Sequence, residues 1–213
     1  MTPTKPPTGR ALTLLELMLA LSITAMVATA ISGMMSAVIT GVSTRRDNRS
    51  LMIRANAAQT RLAAYIAPSR SLLDATDSDL VLWLEDARES GTVHATEIRW
   101  LKFDAIEGTI DVYFVDFPDS WQQTAKDLAD RQYASDANWK MVFDAYQGNG
   151  WISTLCLVDG LERVTVRTDA DNALDSRHVE YELNFWTSNG SLSTQVSATV
   201  RLHRPPVSEG VVR

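Results

Sequence analysis

Apolar and polar positions divide the chain into two parts near residue 42. Charged side chains are absent from Leu17 to Thr44 but occur throughout the chain that follows. An apolar helix needs roughly 20 residues to cross a bilayer, whereas the core of a signal peptide has roughly 7 to 15. The pattern therefore predicts a membrane helix over residues 12–42 that stays on the protein, after a short leader at residues 1–11.

A second, amphipathic pattern follows at residues 43–68. Apolar side chains recur there at three- and four-residue spacing with arginine and glutamine between them, which is typical of a helix that buries one face. Pro68 is expected to end this helix. The face expected to pack on a globular domain consists of Leu51, Ala55, Ala58, Leu62, Tyr65 and Ile66.

Residues 69–204 contain the short alternating runs of an antiparallel sheet. A helix is predicted from Ser120 through roughly Ala134, because Ser120 and Gln123 have the spacing of a capping box. The run Ser188-Asn189-Gly190-Ser191 predicts a hairpin turn. A long helix followed by antiparallel strands is an α+β order, and residues 205–213 are expected to form a frayed tail. Strands are predicted at 80–84, 97–103, 109–117, 151–158, 164–168, 179–187 and 192–202.

Composition argues against several classes of function. The net charge is −6 and the leader contains two of the cations, so the trimmed chain is still more acidic, and nucleic acid is not an expected partner. Cys156 is the only cysteine, which excludes an intramolecular disulfide. No nucleophile, zinc or phosphate-loop motif occurs, and the three histidines are far apart in sequence. The chain is therefore predicted not to be an enzyme.

One carboxylate stands near the start of the apolar segment. An ionised acid in a membrane helix costs about 2.5 to 3.5 kcal/mol at the helix centre and less towards its ends, so Glu16 is a candidate functional residue. The apolar segment that follows supplies no cation. The expected partner of Glu16 therefore comes from the leader side or from another chain.

Small side chains form two adjacent rows on the predicted membrane helix, read four residues apart. Such rows let helix backbones approach closely inside a membrane, which favours packing against other helices. The alternative is that small residues are simply common in membrane spans. The rows are Ala20, Thr24, Ala28, Ser32, Ser36 and Thr40, and Ala25, Thr29, Gly33, Ala37 and Gly41.

The start of the chain resembles the type IV pilins and the pseudopilins of type II secretion systems. A short basic leader and Ala11 are followed by Leu12-Thr13-Leu14-Leu15-Glu16 and the apolar helix. The resemblance implies that prepilin peptidase cuts between Ala11 and Leu12 and methylates the new amine, so that Glu16 becomes the fifth residue. The family usually has glycine before the cut. Cutting after Gly9 instead would expose Arg10 and put Glu16 seventh.

The resemblance also implies a function and a location. Glu16 would pair with the amine of a neighbouring subunit, and the protein would be a structural minor pilin or pseudopilin, similar in length to the J type. It would cross the inner membrane once, with its C-terminal domain in the periplasm. Its fold would be pilin-like, a long N-terminal helix with an antiparallel sheet packed on it. Its partners would be prepilin peptidase and other pilin subunits. The predicted assembly residues are Thr13, Glu16, Ala20, Thr24, Ala28, Ser32, Gly33 and Ser36.

Two other interpretations of the N-terminal segment remain open. The chain could be a secreted soluble protein cut after Ala30, or a single-span enzyme or sensor with an exported domain. The basic cluster of Arg45, Arg46 and Arg49 would by the positive-inside rule place the N-terminus outside, opposite to what the resemblance implies. The same cluster could instead be a solvated collar on the helix or a contact for lipid or DNA.

Two acidic clusters are weaker candidates for a calcium site. Some pseudopilins use calcium to hold a loop, and Asp169, Asp171 and Asp175, with Asn172, are a candidate cluster, although the spacing is not that of an EF-hand. Asp74, Asp77 and Asp79 form a second one. Turns use the same residue types for their own hydrogen bonds, so the main expectation is that the protein binds no cofactor.

Tryptophans in strands are expected in the core, whereas Trp121 and Trp139 are candidates for subunit contacts.

Overall fold

The computed structural model describes residues 14–187 and 190–207. The chain divides into two compact units, Met1–Asn48 and Arg49–Arg213. Helix α1 spans Leu14–Ile66 and contributes residues to both. In the first unit, every residue of this helix from Leu14 to Val42 is exposed.

The part of α1 in the second unit buries the predicted apolar face. Ala58, Leu62 and Ile66 are at most 1% exposed and lie in the larger core cluster. The helix ends at Ile66, two residues before Pro68, as predicted. The hydroxyl of Ser69 then donates to the Ile66 carbonyl at 2.6 Å, which satisfies an acceptor that the helix leaves without an intrahelical donor.

The second unit is α+β, with antiparallel strands in three sheets. A five-stranded sheet has the order β1-β2-β4-β5-β7, a three-stranded sheet has the order β10-β9-β8, and β3 pairs with β6. The strands are β1 Ser71–Ala75, β2 Leu80–Trp83, β3 Val93–His94, β4 Ile98–Asp104, β5 Thr109–Val115, β6 Gln132–Tyr133, β7 Ile152–Val158, β8 Leu161–Thr168, β9 His178–Thr187 and β10 Gly190–Thr199. Two further helices are α2 Gln123–Ala129 and α3 Trp139–Gly148.

The five-stranded sheet is covered on both faces. One face packs with α1 and the three-stranded sheet around residues such as Leu72, Leu82 and Val112. The opposite face, including Val81 and Trp100, packs against α3. Burial on both sides explains why β2 is apolar at all of its positions rather than alternating.

The predicted helix from Ser120 to Ala134 is wrong in its bounds. Helix α2 begins at Gln123 and ends at Ala129, because the chain then turns so that β6 can pair with β3. The sequence interpretation also missed α3. Its start is capped by Asn138, whose side-chain oxygen accepts from the Met141 N–H at 3.0 Å, and its buried face carries Trp139, Val142, Phe143 and Tyr146 at helical spacing.

Strand predictions were right for seven strands and missed three. Each predicted run overlaps an observed strand, with bounds that differ by at most three residues, whereas β1, β3 and β6 were not predicted. The strands that flank the predicted hairpin, β9 and β10, pair antiparallel with Gly190 opposite Thr187. Residues 188 and 189 of the predicted turn lie outside the described residues.

The C-terminal segment is attached to the domain as far as the structure describes it. The Arg204 N–H donates to the Arg70 carbonyl at 2.7 Å, and the Val207 N–H donates to the Gly91 carbonyl at 2.8 Å. Pro206 is buried. Residues 205–207 are therefore bound where a frayed tail was predicted, and residues 208–213 lie outside the described range.

Two tryptophan predictions also need correction. Trp139 is 3% exposed and lies in the core cluster around α3, so it is not available for subunit contacts. Trp186 is in strand β9 but is 60% exposed, because it lies near the end of the strand with its side chain outside the core. Trp83 and Trp100 are buried, as predicted.

Candidate functional site

The apolar segment of α1 from Leu14 to Val42 is the main candidate site. It has 29 residues, and among the described residues it is the one helix long and apolar enough to span a membrane. None of it is buried. A helix that is apolar on all sides needs an apolar surrounding, either lipid or other helices.

Glu16 lies in the first turn of this helix and is exposed. The N-terminal end of a helix carries a partial positive charge, which stabilises an acid in the first turn by about 0.3 to 1 kcal/mol at exposed sites. The local structure therefore tolerates a carboxylate here better than at any later position of the segment. The predicted processing residues Ala11 and Leu12, and Thr13, lie outside the described residues.

The predicted small-residue rows lie on the exposed helix, and the threonine hydroxyls in them donate to carbonyls of the same helix. Thr24 Oγ1 donates to the Ala20 carbonyl at 2.7 Å, and Thr29 Oγ1 donates to the Met26 carbonyl at 2.9 Å. These internal bonds satisfy polar groups that would otherwise be costly in an apolar surrounding. The remaining row members among the predicted assembly residues, Ala28, Ser32, Gly33 and Ser36, are likewise exposed.

The candidate calcium cluster is used by its own turn. Asp169 Oδ1 accepts the N–H of Arg177 at 2.9 Å and that of His178 at 3.0 Å. These backbone bonds, the one from His178 foremost, lower the pKa of Asp169 below its usual value. Asp175 accepts from the Asn172 amide at 3.1 Å, and Asp171 is exposed. Over residues 14–187 and 190–207, no group of three or more acidic, histidine or cysteine side chains is placed to hold a metal ion.

Three buried carboxylates were not singled out from the sequence. Glu97 is 2% exposed and accepts from Trp83 Nε1 at 3.0 Å, from the His94 N–H at 3.1 Å and from the Arg88 N–H at 3.3 Å. Asp86 accepts from two backbone N–H groups of its own loop. These bonds hold the loop between β2 and β4 in place.

Asp130, the third buried carboxylate, connects that loop to the end of α2. Its side chain is 2% exposed, accepts from the N–H and the hydroxyl of Thr96 at 2.9 Å each, and pairs with Arg88 at 2.9 Å. All three carboxylates accept hydrogen bonds from neighbouring groups, so a structural role explains their burial. No spacing in the sequence distinguishes them from ordinary surface acids.

No protein-family model, curated protein or solved structure matches the chain.

Proposed function

We propose that this chain is a structural, non-enzymatic subunit of a type IV pilin-like filament, either a minor pilin or a pseudopilin of a type II secretion system. Prepilin peptidase removes residues 1–11 and methylates Leu12. Residues 12–42 then anchor the protein in the inner membrane as a single span, with the C-terminal domain in the periplasm. The same helix packs against other pilin subunits when the filament assembles.

The observation that supports this proposal most is the exposed apolar segment of α1 with Glu16 in its first turn. A lipid anchor and a filament core both require a helix that is apolar on every side, and close helix packing requires small residues along it. The further part of the same helix buries one face in an α+β domain. A long helix whose second part packs on an antiparallel sheet is the layout expected of a pilin-like subunit.

In this proposal the Glu16 carboxylate pairs with the methylated amine of Leu12 on a neighbouring subunit. A charge-assisted hydrogen bond of this kind is roughly twice as strong as a neutral one. It would also set the register between two helices that otherwise offer only apolar contacts. The pairing therefore explains why the chain is cut before Leu12 and why Glu16 lies where it does.

The mature N-terminus tests the processing step. Mass spectrometry of the protein from the membranes of its native cell should find N-methylated Leu12. An uncut chain would favour a single-span enzyme or sensor, and a chain beginning at residue 31 would favour a secreted protein. Either of these two results would overturn the proposal.

A Glu16→Ala substitution tests the assembly step. Removing the charge makes membrane insertion easier, since a carboxylate in lipid is unfavourable, so any loss of assembly cannot come from failed insertion. We expect the amount of the chain that cross-links to other pilin subunits in native membranes to fall at least about tenfold, as the loss of about 1.4 kcal/mol or more would produce.

Ser22→Ala is the matched control for this experiment. Ser22 lies on the same helix, and its hydroxyl donates to the Leu19 carbonyl at 2.9 Å, so its removal leaves the apolar surface unchanged. The control should cross-link like the wild type. Equal cross-linking by the Glu16→Ala variant would count against the pairing.

A further inference from the structure

Four arginines line one cleft in the second unit. It has a volume of about 760 Å³, and its walls include Arg70, Arg177, Arg201, Arg204 and His203 against a single acid, Glu85. The whole chain has a net charge of −6. Four guanidinium groups around one cavity in an acidic protein repel one another, and a bound anion would relieve that repulsion.

Backbone hydrogen bonds fix the main chain at these arginines. The Arg201 N–H donates to the Ala67 carbonyl at 3.1 Å and the Arg204 N–H donates to the Arg70 carbonyl at 2.7 Å, which binds the segment after β10 to the chain after α1. The Val200 N–H donates to the Arg177 carbonyl at 2.8 Å and brings the start of β9 to the same place. Three distant parts of the sequence therefore meet in a preformed cleft.

Three of the four guanidinium groups are available to a ligand. Arg70 lies 3.8 Å from Asp86 and over the ring of Trp83 at 5.7 Å. Arg177, Arg201 and Arg204 are exposed, and over residues 14–187 and 190–207 none of them forms an ion pair. Arginine presents a planar fork of donors that matches a carboxylate in two parallel bonds.

Apolar side chains lie among the arginines. Leu202, which is 78% exposed, lies between Arg201 and Arg204 in sequence, and Leu84 and Val200 also line the cleft. A small inorganic anion or a lipid headgroup would leave Leu202 and the partly exposed Leu84 in water, whereas a peptide that carries both acidic and apolar residues would cover them. The volume lies within the range of roughly 300 to 1,000 Å³ that is common for ligand pockets.

We propose that this arginine cleft binds an acidic peptide segment of a partner protein, with at least two carboxylates on the arginines and an apolar side chain against Leu202. The inference is independent of the proposed role of the apolar helix, because all residues of the cleft belong to the second unit. It gives the globular domain an interaction of its own.

The test uses the full chain in a nonionic detergent and a fluorescein-labelled hexapeptide of four glutamates and two leucines. Fluorescence anisotropy should show saturable binding of this peptide and none of the counterpart with glutamine in place of glutamate. The double variant Arg201→Ala, Arg204→Ala should bind at least about tenfold more weakly, since each lost charged bond is worth about that factor. Leu202→Ser should weaken binding severalfold without a change in charge.

The double variant Arg54→Ala, Arg163→Ala is the matched control, because it removes the same charge from exposed positions outside the cleft. It should bind like the wild type, and an equal loss would mean that binding is not localised and would overturn the proposal. The absence of peptide binding would also overturn the proposal. Binding of inorganic phosphate or glycerol phosphate without binding of the peptide would overturn it too and would point to a different ligand class. The substituted side chains are all exposed, and circular dichroism would verify that each variant is folded.

Discussion

At the scale of single residues, Tyr181 has a buried hydroxyl without a hydrogen-bond partner among the described residues. Its ring is 1% exposed in the core between α1 and the two larger sheets, and no described residue accepts from or donates to its hydroxyl. Burial, with a smaller contribution from the charge of Asp79, raises the pKa of Tyr181 above its usual value. The hydroxyl is thus held neutral in a place that offers it no hydrogen bond.

We predict that Tyr181→Phe stabilises the domain. A buried polar group without a partner costs about 1 to 3 kcal/mol, and phenylalanine fills the same space without it, so the free energy of unfolding should rise by about 1 kcal/mol. Urea unfolding, monitored by tryptophan fluorescence, measures the free energy of unfolding. Tyr113→Phe, which removes a half-buried hydroxyl at the edge of the core, should change stability by less than about 0.5 kcal/mol. A destabilised Tyr181→Phe variant would show that the hydroxyl has a partner such as a buried water.

The surroundings of single residues were the hardest feature to predict from the sequence. In the sequence, Glu97 and Asp130 cannot be told apart from ordinary surface acids. Their hydrogen-bond donors are on Trp83, Thr96 and Arg88, which only the tertiary fold brings near. Trp139 read as an exposed aromatic because α3 was missed. Glu16 was identified because a charge within an apolar run stands out without any tertiary information.

At the scale of elements, the second part of α1 connects the two larger sheets. Leu62 is buried between them, and polar side chains on either side of it bind strand backbones. The side-chain amide of Gln59 both donates to and accepts from the backbone of Ser197 on β10, and Arg61 donates to the Leu157 carbonyl on β7 at 2.7 Å. Because β10 and β7 each end a sheet, these bonds also protect parts of two open edges.

We predict that Leu62→Ala destabilises the domain by about 2 to 5 kcal/mol, the usual cost of a cavity at a fully buried leucine. Met52→Ala on the same helix is the control. Met52 is 70% exposed, so this substitution should cost less than about 0.5 kcal/mol. Urea unfolding of the two variants measures the difference. Similar values for both would mean that the helix does not pack as described.

The helix and most strands could be predicted because local patterns specify them. The apolar face of residues 51–66 has the helical period, and the longer strands alternate or are wholly apolar. Strands β3 and β6 have two residues each, too few for any pattern, and exist only because Val93 pairs with Tyr133. Helix α3 was predictable in principle from Asn138 and the apolar residues of its buried face, but Trp139 was interpreted as a candidate for subunit contacts instead.

At the scale of the whole molecule, the two units differ in what they need around them. Both core clusters lie within the second unit, whereas the first contributes an apolar helix with no buried residue from Leu14 to Val42. The division into an apolar helix and an α+β domain was predictable from the switch in hydropathy near residue 42. The arginine cleft was not, because its arginines come from three separate parts of the chain.

We predict that residues 49–213 alone form a soluble, folded domain. They retain the buried positions of α1 and all strands, so they should give a cooperative thermal transition and a near-ultraviolet circular dichroism spectrum without detergent. The full chain should require detergent or lipid to stay in solution. A truncated domain that aggregates or unfolds gradually would mean that residues 14–48 contribute to its core.

The single thiol, Cys156, gives experimenters a built-in attachment point. It is exposed on β7, one residue before Leu157, whose carbonyl accepts from α1. Burial of part of the group and the nearby charge of Asp111 raise the pKa of Cys156, so dyes and spin labels should couple to it best under mildly alkaline conditions. A probe placed there would report the distance between neighbouring copies in any assembly without an engineered cysteine.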